Sequence, residues 1–154
     1  MKVVIDTNVF WVSISRRSST HWIFRALLDG EFTLCVTTEN LNEYEEIIGQ
    51  KLGVETADAI MEVLDNLDNI ELVTRYYRWE LIIADPDDNP FVDCAIAVSA
   101  DALVSQDGHF NILKRTSFPK VNLMNIDEFK IFLEKIMPDF VQKEKQSTIP
   151  KVQH

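Results

Sequence analysis

The feature that most constrains this chain is an alternation of short, β-rich apolar runs with longer stretches of helical period. Val3-Val4-Ile5 has little polar alternation, as expected of a parallel strand covered on both faces. After Thr20, an expected N-cap, Ile23, Phe24, Leu27 and Leu28 recur at helical spacing until Gly30. Phe32 to Val36 reads as a second strand, and Thr38 as the cap of a helix with acids in its first turns, where the dipole favours them. A helix over Ala57–Leu67 and a strand over Glu71–Val73 follow, whereas residues 74–84 have no decisive period. Pro90 suits a first helical position, so Asn89 is the expected N-cap of a helix reaching Ala100. Strands over Ala102–Ser105 and Val121–Met124, a short helix over 108–114 and a last helix over Asp127–Ile136 complete the pattern. Such alternation predicts an α/β domain over residues 1–136 with a central, mostly parallel sheet, followed by a polar tail over 137–154.

Open α/β sheets bind ligands at the carboxyl ends of their strands, so the acids there matter first. Asp6 directly follows the first strand, and Asp107 lies just beyond a later one. Glu43 lies beside the buried stripe of its helix (Leu41, Tyr44, Ile47, Ile48), whereas Glu45 and Glu46 suit a solvated face. Asp93 interrupts the apolar helix NPFVDCAIAVSA on the face of Asn89, Ile96, Ala97 and Ala100, whose small residues suggest packing against the sheet. A carboxylate there is costly unless it has an ion pair or a metal, the alternative being simple exposure to solvent. Asp85, Asp87 and Asp88 crowd the preceding loop, with Asp88 closest to the helix.

Charge points the same way. With 15 Lys+Arg against 25 Asp+Glu the chain carries −10, so its overall field does not attract a polyanion. Either the partner is not a polyanion, or acids are concentrated in a site for metal cations. All-oxygen ligands favour Mg²⁺ or Mn²⁺. Nucleophile triads, glycine-rich phosphate loops and cysteine–histidine zinc spacings are absent from the sequence. Cys35 and Cys94, set in apolar runs, read as reduced core thiols. With no apolar run near ~20 residues and no leader pattern, the expected location is the cytoplasm, away from membranes.

The combination VVIDTN (3–8), NLNEYEEI (40–47), DPDDNPFVDCAIAVSADALVSQD (85–107) and VNLMNIDEF (121–129) resembles the PIN-domain family over residues 1–133. The nearest flavour is the subgroup that forms toxins of prokaryotic toxin–antitoxin pairs. The resemblance implies a three-layer α/β/α sandwich and a metal-dependent endoribonuclease that leaves a 5′-phosphate and a 3′-hydroxyl. Asp6, Glu43 and Asp107 match three family acids, and Thr7, Asn8 and Ser105 match supporting polar positions. The third acid departs from the pattern, because Asn89 occupies its position; Asp93, one turn on, is the expected replacement and Asp88 the fallback. The implied cofactor is Mg²⁺ or Mn²⁺, and the implied partners are RNA, a small antitoxin protein and a second copy in a homodimer.

RNA also needs cations. Arg16-Arg17 and Lys114-Arg115 are candidate phosphate contacts along the cleft rim. Arg75 and Arg78, interleaved with Tyr76, Tyr77 and Trp79, are candidates for stacking on single-stranded bases, against solvated surface for the arginines and core packing for the aromatics. The alternative is a PIN-like RNA- or protein-binding module that Asn89 has weakened or silenced. A response-regulator-like phosphoacceptor fits less well, lacking paired acids before that strand and a suitably placed lysine.

Overall fold

The computed structural model describes residues 1–83 and 85–140. Five parallel strands form one sheet in the order β3-β2-β1-β4-β5: β1 (Lys2–Ile5), β2 (Thr33–Val36), β3 (Ile70–Leu72), β4 (Ala102–Val104) and β5 (Leu123–Met124). Successive strand residues point to opposite faces, yet Val3, Val4 and Ile5 are all fully buried. Both faces are therefore covered, and helices complete a three-layer α/β/α sandwich. They are α1 (Thr7–Ile14), α2 (His21–Leu28), α3 (Thr38–Leu52), α4 (Val54–Asn66), α5 (Asn89–Ala97) and α6 (Ile126–Ile136), with 3-10 turns over Pro86–Asp88 and Gly108–Arg115.

The chain runs from β1 outward through β2 and β3, then returns to the other side of β1 to form β4 and β5. The order therefore reverses between β1 and β4, the place where such sheets leave a crevice at their carboxyl ends. Tyr44 of α3 anchors that end. Its ring stacks between Phe10 (centroids 4.3 Å apart) and Phe91 (6.0 Å), and its hydroxyl donates to the Ile5 carbonyl.

Helix signals behaved unevenly. The cap of α3 is Thr37, whose hydroxyl accepts from the Asn40 amide, not Thr38. Helix α4 begins at Val54, three residues before the expected Ala57, because Gly53 at φ 98° turns the chain there. Asn89 does not cap α5: it is already helical, buried, and spends its side chain on a distant backbone. Nor does the Asn89–Asp93 face pack on the sheet; Ala97 is exposed, and Phe91, Val92, Cys94 and Ala95 are the buried neighbours. That helix ends at Ala97 rather than Ala100. Packing continues past residue 136: Phe140 is buried, its ring 5.8 Å from Trp22. The rest of the expected tail, 141–154, lies outside the described residues. Cys35 and Cys94 are free and buried, and burial pushes both thiols up to about 12. Among the described residues no helix is long and apolar enough to cross a membrane.

Candidate metal centre

The crevice between β1 and β4 is an acid pocket of about 140 Å³ lined by Asp6, Thr7, Asn8, Glu43, Asp85, Asp87, Asp88 and Asp107. Its floor is built from local sequence. Asp6 ends β1 and caps α1, its Oδ1 accepting from the Val9 amide at 2.8 Å. Its Oδ2 accepts from the Ser105 hydroxyl, and that same oxygen of Ser105 accepts from the Asp107 amide at 3.0 Å. Ser105 thus ties the end of β4 to the end of β1. The Thr7 hydroxyl donates to Glu43 Oε2 at 2.7 Å, which fixes the α3 carboxylate over the same crevice.

These bonds favour ionised carboxylates, but burial opposes them. Asp6 is 5% exposed, and its pKa is raised from 3.8 to about 6, by burial first, with the Asp107 and Glu43 charges adding to it. Burial and then the charges of Asp85, Asp107 and Asp6 raise Asp88 to about 7. Glu43 is raised as well, by burial and then by Asp87 and Asp85. Asp88 Oδ2 is shielded from solvent without a hydrogen bond, 3.6 Å from His109 Nδ1. One ligand atom each from Asp85, Asp88 and His109 falls within 4.8 Å of the others. Fixed oxygens that repel one another, one of them (Asp88 Oδ2) without a donor, suit a hard divalent cation, which would relieve these penalties. The donor set therefore fits such an ion.

Asp85 and His109 were not singled out by sequence reasoning. The signal was available for His109, which follows Asp107 by two residues at a strand's carboxyl end, and whose backbone N–H donates to Asp107 Oδ1 at 2.9 Å.

Asp93 lies elsewhere. It is 2% exposed, its Oδ1 accepts from the Trp79 amide at 3.1 Å, and its Oδ2 is 3.3 Å from Arg75 Nη1. Arg75 in turn reaches Glu39 Oε1 at 3.2 Å. Burial raises the Asp93 pKa even against these two partners. Of the two remedies expected for a buried acid there, the structure supplies the ion pair. Asn89, one turn earlier, is its companion: Oδ1 accepts from the Ile82 amide and Nδ2 donates to the Ile82 carbonyl, both at 2.9 Å. Together they fasten residues 74–83 along α5. Asn89 is therefore a backbone clamp outside the lining of the acid pocket. Arg16, Arg17, Lys114 and Arg115 are all exposed, and none lines that pocket.

The chain is thus an α/β/α sandwich with a carboxylate pocket at its switch point. The model of the PIN domain matches residues 2–109, and the chain belongs to the PIN domain family. Among solved structures, the chain is similar to the crystal structure of VapBC2 from Rickettsia felis bound to a DNA fragment from their promoter, with a TM-score of 0.58 and 21% identity over 81% of this chain and 98% of that one. That likeness is one of fold. No curated protein matches.

Proposed function

We propose that the protein is a divalent-metal-dependent endoribonuclease acting on single-stranded RNA, and the toxin of a toxin–antitoxin pair. The observation that carries this reading is the convergence of Asp6, Glu43, Asp88 and Asp107 on one crevice in which burial and mutual repulsion hold Asp6 and Asp88 near pKa 6 and 7. Membership of a family whose domains are in general nucleases supports it. Asp6, Glu43, Asp88 and Asp107 would hold Mg²⁺ or Mn²⁺, with Asp85 and His109 at the rim. Asp88 thereby takes the third-acid role first expected of Asp93, because Asp93 is already occupied by Arg75 and the Trp79 amide.

Such an ion, when bound, lowers the pKa of its water and offsets charge on a phosphate oxygen. The chain does the positioning. Ser105 and the Val9 amide orient the Asp6 carboxylate, Thr7 orients Glu43, and the Ser105–Asp107 bond holds the β4 loop in register. Fixed ligands cost no reorganisation when charge develops. The likeness to VapBC2 supports an antitoxin protein as partner; a homodimer remains part of the proposal.

The test is Mn²⁺-dependent cleavage of a mixed single-stranded RNA pool by wild type, Asp6→Asn, Asp88→Asn and Asp93→Asn. Cleavage is expected to vanish in the first two variants and to survive in folded Asp93→Asn. A folded, antitoxin-free wild type that cleaves nothing, with Mn²⁺ bound, would replace the nuclease with the binding-module reading.

A further inference from the structure

The segment over residues 74–83 carries more than it needs for packing. Clamped to α5 by Asn89 and Asp93, it nevertheless turns Tyr76 (92% exposed), Tyr77 (64%) and Arg78 outward. Half-buried Trp79 meets Tyr77 edge-on at 4.7 Å, and Phe118, 81% exposed and far off in sequence, also meets Trp79 edge-on, at 6.0 Å. Three rings from two separate segments thus form one solvent-facing cluster. Leaving large rings in water forgoes the stabilisation that burying them would bring, so the cluster needs an occupant.

Two further observations choose it. A groove of about 570 Å³ shares Glu43 and Asp87 with the acid pocket and reaches Arg78, the residue between Tyr77 and Trp79, so the arginine of the cluster, though none of its rings, lines a path to the proposed centre. The segments bearing the rings, 74–79 and 114–120, contain no acid, although the chain has 25; besides Arg75, which is committed to Asp93 and Glu39, they hold Arg78, Lys114, Arg115 and Lys120, four of its 15 Lys and Arg. Flat faces flanked by cations, beside a phosphate-cleaving crevice, match a single strand with unstacked bases. We propose that Tyr77, Trp79 and Phe118, with Arg78, form a stacking platform for unpaired bases of single-stranded RNA leaving the acid centre. The proposal deepens the nuclease reading and rests on it for the choice of polymer.

The measurement is anisotropy of a fluorescein-labelled 12-nucleotide oligouridylate with the full chain in its Asp6→Asn form, with and without Tyr77→Ala/Phe118→Ala. Both rings are exposed, so the pair tests contact with little loss of core. The double variant is expected to raise Kd by about tenfold or more, since each stacked base contributes that order. Affinity for an RNA duplex of equal length should stay constant, and Tyr77→Trp/Phe118→Trp should restore tight single-strand binding. Unchanged oligouridylate affinity in the alanine pair overturns the platform, even where wild type cleaves RNA. A change confined to the oligomeric state assigns the rings to a protein contact and overturns it too. Stacking without cleavage in the Asp6-containing protein would sink the nuclease and leave the platform standing.

Discussion

Removing the Asp6 charge should stabilise the metal-free protein, against the usual result of altering a buried, hydrogen-bonded residue. The group is 5% exposed, and its pKa rises from 3.8 to about 6 on folding. A folded-state value above the unfolded one means that stability is complete below pH 4, declines as pH rises towards 6, and is fully lost beyond. The loss amounts to about 3 kcal/mol at pH 8, at 1.36 kcal/mol per unit. In Asp6→Asn the new carboxamide oxygen can still accept from the Val9 amide, and its nitrogen can donate to Ser105. Rearranging that Ser105 bond costs about 1 kcal/mol. A net gain of about 2 kcal/mol corresponds to a Tm roughly 4–8 °C higher in a chain of this size. The assay is thermal unfolding in EDTA at pH 8 and at pH 5. Asp6→Asn should melt higher than wild type at pH 8 and gain clearly less at pH 5. Adding Mn²⁺ should then raise the wild type and leave the variant nearly unmoved, because only wild type holds the full ligand set. A variant less stable than wild type at both pH values, or one equally stabilised by Mn²⁺, refutes the reasoning.

Single-turnover cleavage at sub-saturating Mn²⁺ should fall as pH drops from about 7 to about 6, where Asp88 and Asp6 take up protons; more Mn²⁺ should move the fall to lower pH, and an immobile profile would count against these ligands. Asn89→Asp should destabilise the fold by about 1–3 kcal/mol in urea titrations, because a carboxylate cannot donate to the Ile82 carbonyl. The cost should be larger at pH 8 than at pH 5, since burial raises the new acid's pKa above its unfolded value. Asp93→Asn should lower stability by less than the roughly 3–5 kcal/mol of a broken buried pair, as Arg75 keeps Glu39. Mn²⁺ affinity by calorimetry should be unchanged in Asp93→Asn and strongly reduced in Asp88→Asn.

The parallel sheet was legible because strands covered on both faces leave continuous apolar runs, as at Val3–Ile5 and Ala102–Val104. Asp6 and Asp107 could be read for the same reason: Asp6 immediately follows such a run and Asp107 lies three residues beyond one. Helix α1 escaped notice because VFWV carries apolar residues all round, giving no period to detect. Residues 74–83 were opaque for a different cause. Their conformation is set by side chains 7 and 14 positions downstream, through the Asn89–Ile82 and Asp93–Trp79 bonds, and no local pattern reports such bonds. Composition could say that a buried Asp93 needs a partner. Only the fold could say that Arg75, eighteen positions upstream, supplies it.

Helix α5 explains why the acids lie where they do. Asn89 and Asp93, one turn apart, share a face, and that face is committed to the 74–83 segment. The residue just before Asn89 points about 100° away around the axis, which brings Asp88 into the crevice with Asp6. Asp85, Asp87 and Asp88 also precede the amino end of α5, whose dipole favours negative charge. That end offsets part of the repulsion among the gathered carboxylates, but the raised values at Asp6 and Asp88 show that it does not cancel it. A divalent ion in the crevice would offset part of that repulsion locally while leaving the chain as a whole strongly negative. Attraction for a polyanion must then come from outside the crevice, and the acid-free stretches 74–79 and 114–120 supply cations there. Helix α5 thus lies between the acid pocket and the clamped segment that carries the proposed stacking platform.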